Sequence, residues 1–443
     1  MPDLTLSVPG PDVLSEANDV TAADLPQFAP VTVERETSQL EDPEAAGRDA
    51  VADLPGVAAL SPGASVAITA GSRGIRDMPA VLAGAVDALA ARDLEPFVVT
   101  AMGSHGGATA EGQRAVLEDL GITEERLGCP IEATMDVIEA GSVDGTPVNA
   151  DRAAARADAI LLANRVKPHT DFGDRIESGL CKMAVIGMGN HRGAEAMHNA
   201  ALTGDMGAEI RRRARVLFEE LPILGGVALV ENADDRATHV EGVPVDAILD
   251  REPELLARAE RELATLPVDD LDLLVVDEMG KEVSGTGMDT NVLGRTYFRG
   301  EAEPDEPDVT RVYVRSLTAP SHGNALGVGL ADLAHRDLVA DIDLADTYRN
   351  IATSGETRRA KLPLVVPDDE SALTLAPSVT GRPDPAELRV ARIRNTMEPG
   401  ELLVSEALIP ELEACEDATV GRPRRLSFED GDLPPFEAAF DNG

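Results

Sequence analysis

The chain has 443 residues, and its 80 acidic residues against 39 lysines and arginines give a formal net charge of −41 at pH 7. This charge excludes a general binder of nucleic acids or anionic membranes, because both classes need a basic surface. An apolar content of 43% excludes a wholly disordered acidic protein. No apolar run reaches the roughly 18 residues of a membrane helix, the N-terminus lacks a secretory pattern, and three scattered cysteines form no disulfide framework. We expect a cytoplasmic protein of about two to three domains.

The basic residues are almost all arginines, since the only lysines are Lys167, Lys182, Lys281 and Lys361. Acidic residues spread along the whole chain, with lysine nearly absent, indicate a halophilic protein, because concentrated salt screens the self-repulsion of such a charge. An acidic patch for a cationic partner is the alternative, although the acids form no block. A lysine that persists in this composition is a candidate for chemistry that needs a primary amine, which a guanidinium does not supply.

An irregular leader, rich in Pro, Asp and Glu, precedes a regular alternation of strands and helices. Apolar runs and helical spacing predict strands at 30–34, 65–69, 97–100, 159–166, 183–186 and 226–231 and helices at 79–91, 111–120, 205–220 and 252–266. After a linker at Pro267, the predicted elements are strands at 271–276 and 311–317 and helices at 325–334 and 344–353. The run AILLANRV at 159–166 is typical of a strand buried on both faces of a parallel sheet.

This alternation predicts an α/β fold of two Rossmann-like domains with mainly parallel sheets and an active-site cleft between them. Residues 1–266 would form the N-terminal domain, which binds a cofactor and carries the catalytic groups. Residues 267–443 would form the C-terminal domain, whose tail could pack back on the first domain.

Two histidines directly follow predicted strands: His105 in AMGSHGGAT and His169 in NRVKPHTDF. In open α/β sheets, the loops at the carboxyl ends of the strands bind ligands. The two imidazoles could therefore converge on one pocket as a pair of acid/base groups. The alternative is that each is a loop histidine satisfied by local hydrogen bonds, and the pattern leaves both interpretations open.

Lys182 lies between apolar residues in ESGLCKMAVIGMG. Partial burial there would keep its amine neutral and nucleophilic. The alternative is a lysine whose stem packs while its ammonium group reaches solvent. His191 and His198 follow, but their spacing is not that of a zinc site, and no acid or cysteine cluster completes one.

Two glycine-rich loops are candidates for ligand contact. The segment GSRGIR, with Ser72, Arg73 and Arg76, lies between a strand and a helix and could bind a phosphate with backbone amides and a guanidinium. The segment GKEVSGTGMDTN follows a strand of the second domain, and its Lys281 could pair with a carboxylate. A flexible, turn-rich loop is the alternative for the second segment. No role is assigned to His239, His322 and His335.

Taken together, these motifs resemble the lactate racemase family, whose enzymes use a nickel-pincer nucleotide. The resemblance rests on AMGSHGGAT, on KPHTDF followed by SGLCK, and on the spacing from Lys182 to His198, and it covers mainly residues 65–200. The chain is similar to a divergent, haloarchaeal-type member, because GSRGIR has serine where the family more typically has an acid before the arginine.

The resemblance implies roles for individual residues. Lys182 looks like the tether of the nucleotide, and His198 looks like the nickel ligand. His105 and His169 look like the two bases that flank the substrate. The remaining implied contacts are those of the cofactor phosphate with Ser72, Arg73 and Arg76 and of the substrate carboxylate with Lys281. A primary amine suits an amide-type tether, and imidazole is a good ligand for divalent nickel.

The activity that this resemblance implies is isomerisation. Reversible hydride transfer would racemise or epimerise a 2-hydroxy acid, with one histidine serving each face of the substrate. The implied partners are the small-molecule 2-hydroxy acid and the enzymes that make the cofactor, and a homo-oligomer is a further option. Two other classes stay open: a 2-hydroxy-acid dehydrogenase or lyase of the same fold without nickel, and a non-catalytic protein that binds a metabolite or cofactor.

Overall fold

The computed structural model describes residues 7–34, 38–72, 74–201 and 205–440, apart from the side chains at 198, 199, 201, 353 and 354. The described chain divides into two compact units. The central unit lies within Thr37–Leu263, and the terminal unit comprises the described parts of Met1–Glu36 and Ala264–Gly443. Each unit has a mainly parallel sheet with packed helices, so the predicted α/β fold class is confirmed.

The elements alternate along both units. Within the described residues, the strands are β1 (Phe28–Val33), β2 (Ser65–Ala70), β3 (Glu95–Thr100), β4 (Ile131–Glu132), β5 (Val137–Val143), β6 (Thr146–Asp151), β7 (Ala159–Arg165), β8 (Ile223–Glu231), β9 (Ala237–Pro244), β10 (Asp270–Met279), β11 (Asp308–Leu317), β12 (Leu333–His335), β13 (Leu364–Val366), β14 (Val390–Ile393), β15 (Glu401–Ser405) and β16 (Ala418–Val420). The α-helices of the same ranges are α1 (Pro11–Leu14), α2 (Pro43–Ala52), α3 (Pro55–Ala58), α4 (Met78–Ala90), α5 (Ala110–Asp119), α6 (Glu124–Leu127), α7 (Arg152–Arg156), α8 (Leu180–Lys182), α9 (Asn190–Ala201), α10 (Met206–Glu220), α11 (Ile248–Glu262), α12 (Thr290–Leu293), α13 (Arg336–Ala340), α14 (Leu344–Ser354), α15 (Asp369–Thr380) and α16 (Ile409–Leu412).

The central sheet has the strand order β4-β3-β2-β7-β8-β9. The first five of these strands are parallel, and β9 closes one edge in the antiparallel sense. When the five parallel strands are numbered by their order in the chain, β2 is the first, β3 the second, β4 the third, β7 the fourth and β8 the fifth. Their order across the sheet is then 3-2-1-4-5, which is the order of a doubly wound sheet of the Rossmann type. The order reverses between β2 and β7, and a crevice at the carboxyl ends of these two strands is therefore the expected ligand position.

Helices cover both faces of the central sheet. On β7, Ile160 and Leu162 face one apolar cluster, whereas Leu161 and Ala163 face the other. Helices α2, α4 and α5 contribute to the second cluster, and α8, α9, α10 and α11 contribute to the first. Burial on both faces explains why β7 reads as a nearly continuous apolar run, since each fully buried branched side chain stabilises the fold by roughly 1.5–3 kcal/mol.

The terminal unit has an eight-stranded sheet in the order β13-β12-β11-β10-β14-β15-β1-β16. Its first five strands are parallel, whereas β15, β1 and β16 pair in the antiparallel sense. Strand β1 lies between two C-terminal strands, with Phe28 opposite Ser405 and Val31 opposite Val420. The leader therefore groups with the terminal unit, whereas the boundaries drawn from sequence assign it to the domain of residues 1–266. Near the other terminus, Leu433 and Phe436 belong to the apolar cluster that includes α15.

Two predicted elements are wrong. The strand expected at 183–186 is a π-helical turn, Met183–Gly187, because a short buried apolar run does not distinguish a strand from a helical segment. The helix expected at 325–334 is replaced by a short 3-10 turn and strand β12. Gly327 there has φ +97, and a Cβ on it would lie 1.7 Å from the Thr286 carbonyl oxygen. Over the described ranges, no helix is both long enough and apolar enough to span a bilayer.

Candidate active site

The predicted catalytic segments meet at the carboxyl edge of the central sheet. The loop after β2 contains Ser72, the loop after β3 contains His105, and the segment after β7 contains His169 and then Lys182. Because β2 lies between β3 and β7, the loops of the two histidines approach the point of strand-order reversal from opposite sides. This edge is the place where open α/β sheets bind ligands.

The His105 loop has a conformation that needs glycine. Gly103 and Gly106 have positive φ angles, and a Cβ on Gly106 would lie 2.5 Å from the backbone nitrogen of Gln113. The buried Gln113 side chain, on α5, donates from Nε2 to the carbonyl oxygen of Gly103 at 3.0 Å. The glycines and Gln113 together hold His105 in an exposed position at the sheet edge.

His105 is in direct contact with Ser72 of the neighbouring loop, through Nδ1 and Oγ. A serine hydroxyl both donates and accepts, so it adapts to either tautomer of the ring. When Nδ1 carries the proton and donates it to Ser72 Oγ, Nε2 presents a lone pair that can accept a proton. The contact therefore suits His105 for general-base chemistry at Nε2.

A buried carboxyl group shapes the His169 loop. Glu177, only 6% exposed, accepts the backbone N–H of His169 at 2.5 Å and that of Asp174 at 2.9 Å. Burial raises the pKa of Glu177 to about 7, against the lowering effect of these two N–H donors. The carboxyl group thereby fixes the backbone that positions the imidazole.

The His169 ring is held on two sides. Its Nδ1 accepts the backbone N–H of Asp171 at 3.0 Å, and the ring lies 4.6 Å from that of Phe172, centroid to centroid. An imidazole that accepts at Nδ1 carries the proton of its neutral form on Nε2. His169 therefore presents a hydrogen-bond donor at Nε2, in contrast to the base that Ser72 allows at His105.

Lys182 lies at the end of the single turn α8, directly before the π-helical turn. The amine is half-buried, and Nζ donates to Ser178 Oγ at 3.5 Å. An antiparallel bridge pairs Ser178 with Lys167, which joins this turn to the start of the His169 loop. On the other side, the Gly103 N–H donates to the Gly187 carbonyl oxygen at 3.2 Å, which joins the turn to the His105 loop.

The structure shows the residues of the other predicted cofactor contacts only in part. Arg76 is exposed just before α4, and its backbone N–H donates to Glu231 Oε1 at 3.3 Å. Arg73 lies outside the described residues. His198 lies in α9, but its side chain is also outside the described part of the chain. The phosphate and nickel roles of these residues therefore stay predictions.

Lys281, the predicted partner of a substrate carboxylate, belongs to the terminal unit. It lies in the loop after β10, where Nζ donates to the Gly285 carbonyl oxygen at 2.7 Å and the backbone N–H donates to Ser321 Oγ at 3.0 Å. The ammonium group thus stabilises its own loop. Its role toward a substrate stays a prediction.

A group of possible metal donors in the terminal unit consists of His335, Asp369 and Asp432. Each is already bonded: His335 accepts the Asp337 N–H at Nδ1 and contacts Asp432 through Nε2 at 3.1 Å. Asp369 accepts hydrogen bonds from Arg315 and from the hydroxyl group of Tyr313. Because the neutral imidazole then has its proton on Nε2, this group is a hydrogen-bond network rather than a free donor set.

Three residues that support the site were missed by the sequence analysis: Gln113, Glu177 and Glu252. Glu252 is buried beside the Lys182 turn, and its Oε2 accepts the Cys181 N–H at 3.0 Å. One signal could have identified it, because an acid at this position interrupts the apolar stripe of the amphipathic helix α11. Glu177 and Gln113 offer no such signal, since each bonds to a loop whose shape the sequence does not specify.

No family model matches the sequence, and no curated protein matches it either. Among solved structures, the lactate racemase apoprotein from Thermoanaerobacterium thermosaccharolyticum is similar, with 12% sequence identity and a TM-score of 0.50. The similarity covers 86% of this chain and 96% of that chain. At this level of identity, the comparison shows that the two chains share a fold.

Proposed function

We propose that the chain is a racemase or epimerase of a 2-hydroxy acid and that it works with a lysine-tethered nickel-pincer nucleotide. The observation that supports this most directly is the meeting of the His105 loop, the His169 loop and the Lys182 turn at one sheet edge. Two imidazoles and a primary amine are the groups that this chemistry needs. The fold shared with a lactate racemase apoprotein also supports the proposal.

The residues at this edge fit such a nucleotide in their chemistry. Lys182 offers a half-buried amine that an amide-type bond would use, and Arg76 offers an exposed guanidinium beside the first helix after β2. A guanidinium near a helix N-terminus suits a phosphate group. On this proposal Arg73 and Ser72 share the phosphate contact, and His198 binds the nickel. The enzymes that make the cofactor are then partners of this chain.

The bound nucleotide would supply a hydride acceptor, which no protein side chain offers. The proton is handled by the chain's own residues. His105 accepts the hydroxyl proton of the substrate at Nε2 while its Nδ1–H donates to Ser72 Oγ. His169 donates a hydrogen bond from Nε2 to the substrate oxygen and keeps its proton, because its Nδ1 accepts the Asp171 N–H. The proton held at His105 Nε2 returns to the same oxygen at the end of the reaction. Lys281 remains the proposed partner of the substrate carboxylate.

The proposal is tested by measuring whether a nucleotide is attached to Lys182. Wild type, Lys182→Arg and the matched control Lys361→Arg are each produced together with the cofactor-making enzymes and examined by intact mass and elemental analysis. Lys361 is exposed in the terminal unit, so its replacement should leave the mass adduct and the bound nickel unchanged. Lys182→Arg should lose both, and its racemase activity should fall by at least about 100-fold, because a guanidinium does not form the bond.

Two results would contradict the proposal. One is a wild-type protein with neither adduct nor nickel. The other is undiminished activity in Lys182→Arg. Conversion of a 2-hydroxy acid with an added nicotinamide cofactor and without nickel would instead favour a dehydrogenase of the same fold.

A further inference from the structure

Helix α11 places a carboxyl group inside the apolar core of the central unit. Glu252 is 1% exposed and lies on the helix face that also buries Leu255, Leu256 and Ala259. Removing a carboxyl group from water is unfavourable unless hydrogen bonds replace the lost hydration. The groups that supply those bonds therefore indicate what Glu252 does.

The donor comes from the first turn of the helical segment that contains Lys182. Glu252 Oε2 accepts the Cys181 N–H at 3.0 Å, whereas Oε1 has no hydrogen-bond partner among the described residues. The first N–H groups of a helix have no partner within it, so α11 supplies from a distance the acceptor that a local capping residue would otherwise provide. Burial raises the pKa of Glu252 to about 7, and the Cys181 N–H opposes the rise.

Gly179 leaves the space for this contact. A Cβ on Gly179 would lie 2.3 Å from Glu252 Oε1 and 2.6 Å from its Cδ, so any larger residue displaces the carboxyl group. The Gly179 carbonyl oxygen accepts from Asn164 Nδ2 at 2.8 Å, at the end of β7. The backbone is thus fixed at Gly179 and at Cys181, immediately before Lys182.

We propose that Glu252 is the positioning residue for Lys182: through the Cys181 N–H of α8 it holds the turn that directs the lysine amine to the sheet edge. Its importance for catalysis rests on the proposed function, whereas its effect on the placement of Lys182 does not. The anchored backbone lies directly before the lysine. The Gly179 carbonyl and the Cys181 N–H, which are both hydrogen-bonded, are separated by one residue, and Lys182 follows Cys181.

The scarcity of lysine makes this inference directly measurable. With only four lysines in the chain, competitive acylation followed by peptide mass analysis reports each amine separately, and the exposed Lys361 serves as an internal reference. Labelling from about pH 6 to about pH 10 also yields the apparent pKa of Lys182 in each variant. Hydrogen exchange of residues 177–188 reports the turn itself.

The variants are Glu252→Ala, Glu252→Gln and Gly179→Ala, with Glu254→Gln as the matched control, because Glu254 is exposed on the same helix. Glu252→Ala should raise the Lys182-to-Lys361 labelling ratio and the exchange of the Cys181 amide by about tenfold, since a charge-assisted hydrogen bond is lost. Glu252→Gln should rescue part of the effect, with a rise of about threefold, because its amide oxygen still accepts. Gly179→Ala should resemble Glu252→Ala, and the control should match wild type.

An unchanged or lower labelling ratio in Gly179→Ala and Glu252→Gln, with unchanged exchange, would overturn the inference. If Glu252→Ala does not fold, these two variants still test the role of Glu252. The outcome is separable from that of the proposed function. If the wild-type protein carries no adduct on Lys182, the proposed function is contradicted and the role of Glu252 is not. If the variants still acquire the adduct and their Lys182 labelling is unchanged, the role of Glu252 is contradicted and the proposed function is not.

Discussion

His105 and His169 have different partners at Nδ1, and this difference determines which atom of each ring carries the proton. Ser72 Oγ can either donate to His105 or accept from it. The backbone N–H of Asp171 can only donate, which leaves His169 as an acceptor at that atom. The two imidazoles that look equivalent in sequence are therefore unequal in the folded chain.

We predict that neutral His169 has its proton on Nε2. Long-range ¹H–¹⁵N correlation spectra at about pH 8, above the ordinary pKa of imidazole, should show this tautomer. His335 is the internal control, because its Nδ1 accepts the Asp337 N–H at 3.1 Å in the same pattern. A His169→Gln variant assigns the signal. A proton on Nδ1 of His169, with His335 in the Nε2 form, would contradict the prediction.

Glu177 gives the protein a defined pH dependence. Its folded-state pKa of about 7 lies above the ordinary 4.5, so its stabilising contribution is complete below about pH 4.5 and is lost as the pH rises through 7. A shift of this size corresponds to about 3 kcal/mol. Between about pH 4.5 and about pH 7.5, the free energy of unfolding should therefore fall by about 3 kcal/mol more in wild type than in Glu177→Gln. Chemical denaturation measures this, and an equal slope in both proteins would refute it; the exposed Glu254→Gln is the control.

At the scale of elements, the junction between the π-helical turn and α9 determines how Lys182 and His198 are connected. Asn190 begins α9 with φ +52 and is fully buried. Its Nδ2 donates to Asp151 Oδ2 at 2.8 Å and to the Thr134 carbonyl oxygen at 3.1 Å. The left-handed backbone is one that asparagine tolerates better than most residues, and the side chain fixes the joint to strand β6.

Replacing Asn190 separates these two contributions. Asn190→Ala loses both hydrogen bonds and places a Cβ in the left-handed region, so the free energy of unfolding should fall by about 2–4 kcal/mol. Asn190→Gly loses the same bonds without the backbone cost and should be about 1 kcal/mol more stable than Asn190→Ala. Denaturant unfolding of the three proteins tests this. A glycine variant as unstable as the alanine variant would show that backbone strain is unimportant here.

A clear apolar period, rather than length alone, decided whether an element could be predicted from sequence, since β9 has 8 residues and was not predicted. The long apolar strand β7 and the amphipathic helices α10 and α11 carry their periodicity over many residues, and the predicted ranges overlap them. The short strands β12 to β16 carry too few residues to reveal a period. The π-helical turn was missed because burial makes its residues as apolar as those of a strand.

At the scale of the whole molecule, the net charge of −41 is distributed over both units, and arginine supplies most of the counter-charge. The planar guanidinium can pair with two carboxylates at once, as Arg315 does with Asp277 and Asp369 in the terminal unit. The same arginine donates to the Leu433 carbonyl oxygen and so holds the C-terminal segment to its sheet. Lysine offers no such planar pairing.

The charge predicts that salt stabilises the protein. Raising KCl from about 0.1 M to about 2 M shortens the screening length from about 10 Å to about 2 Å, which removes most of the repulsion between surface carboxylates. The free energy of unfolding should rise by at least about 2 kcal/mol over this range. Sucrose at equal osmolality is the control and should produce a smaller rise. Stability that stays constant or falls with KCl would contradict a halophilic character.

The amino-acid sequence alone determined the fold class and the positions of His105, His169 and Lys182 relative to strand ends. Both follow from local patterns: apolar periodicity defines the strands, and glycine-rich segments mark the loops at their ends. The leader is different, because nothing in its residues indicates that β1 pairs with β15 and β16.

Only the tertiary structure decided what surrounds these residues. Glu252 meets the Lys182 turn across 71 residues of chain, and Ser72 meets His105 across 33. Neither contact leaves a local pattern, because it depends on how helices and loops pack around the sheet. Burial, which raises the pKa of Glu177 and Glu252, also arises only when the chain is folded. The sequence thus supplied the chemical groups, and the packing determined which atom of each can act.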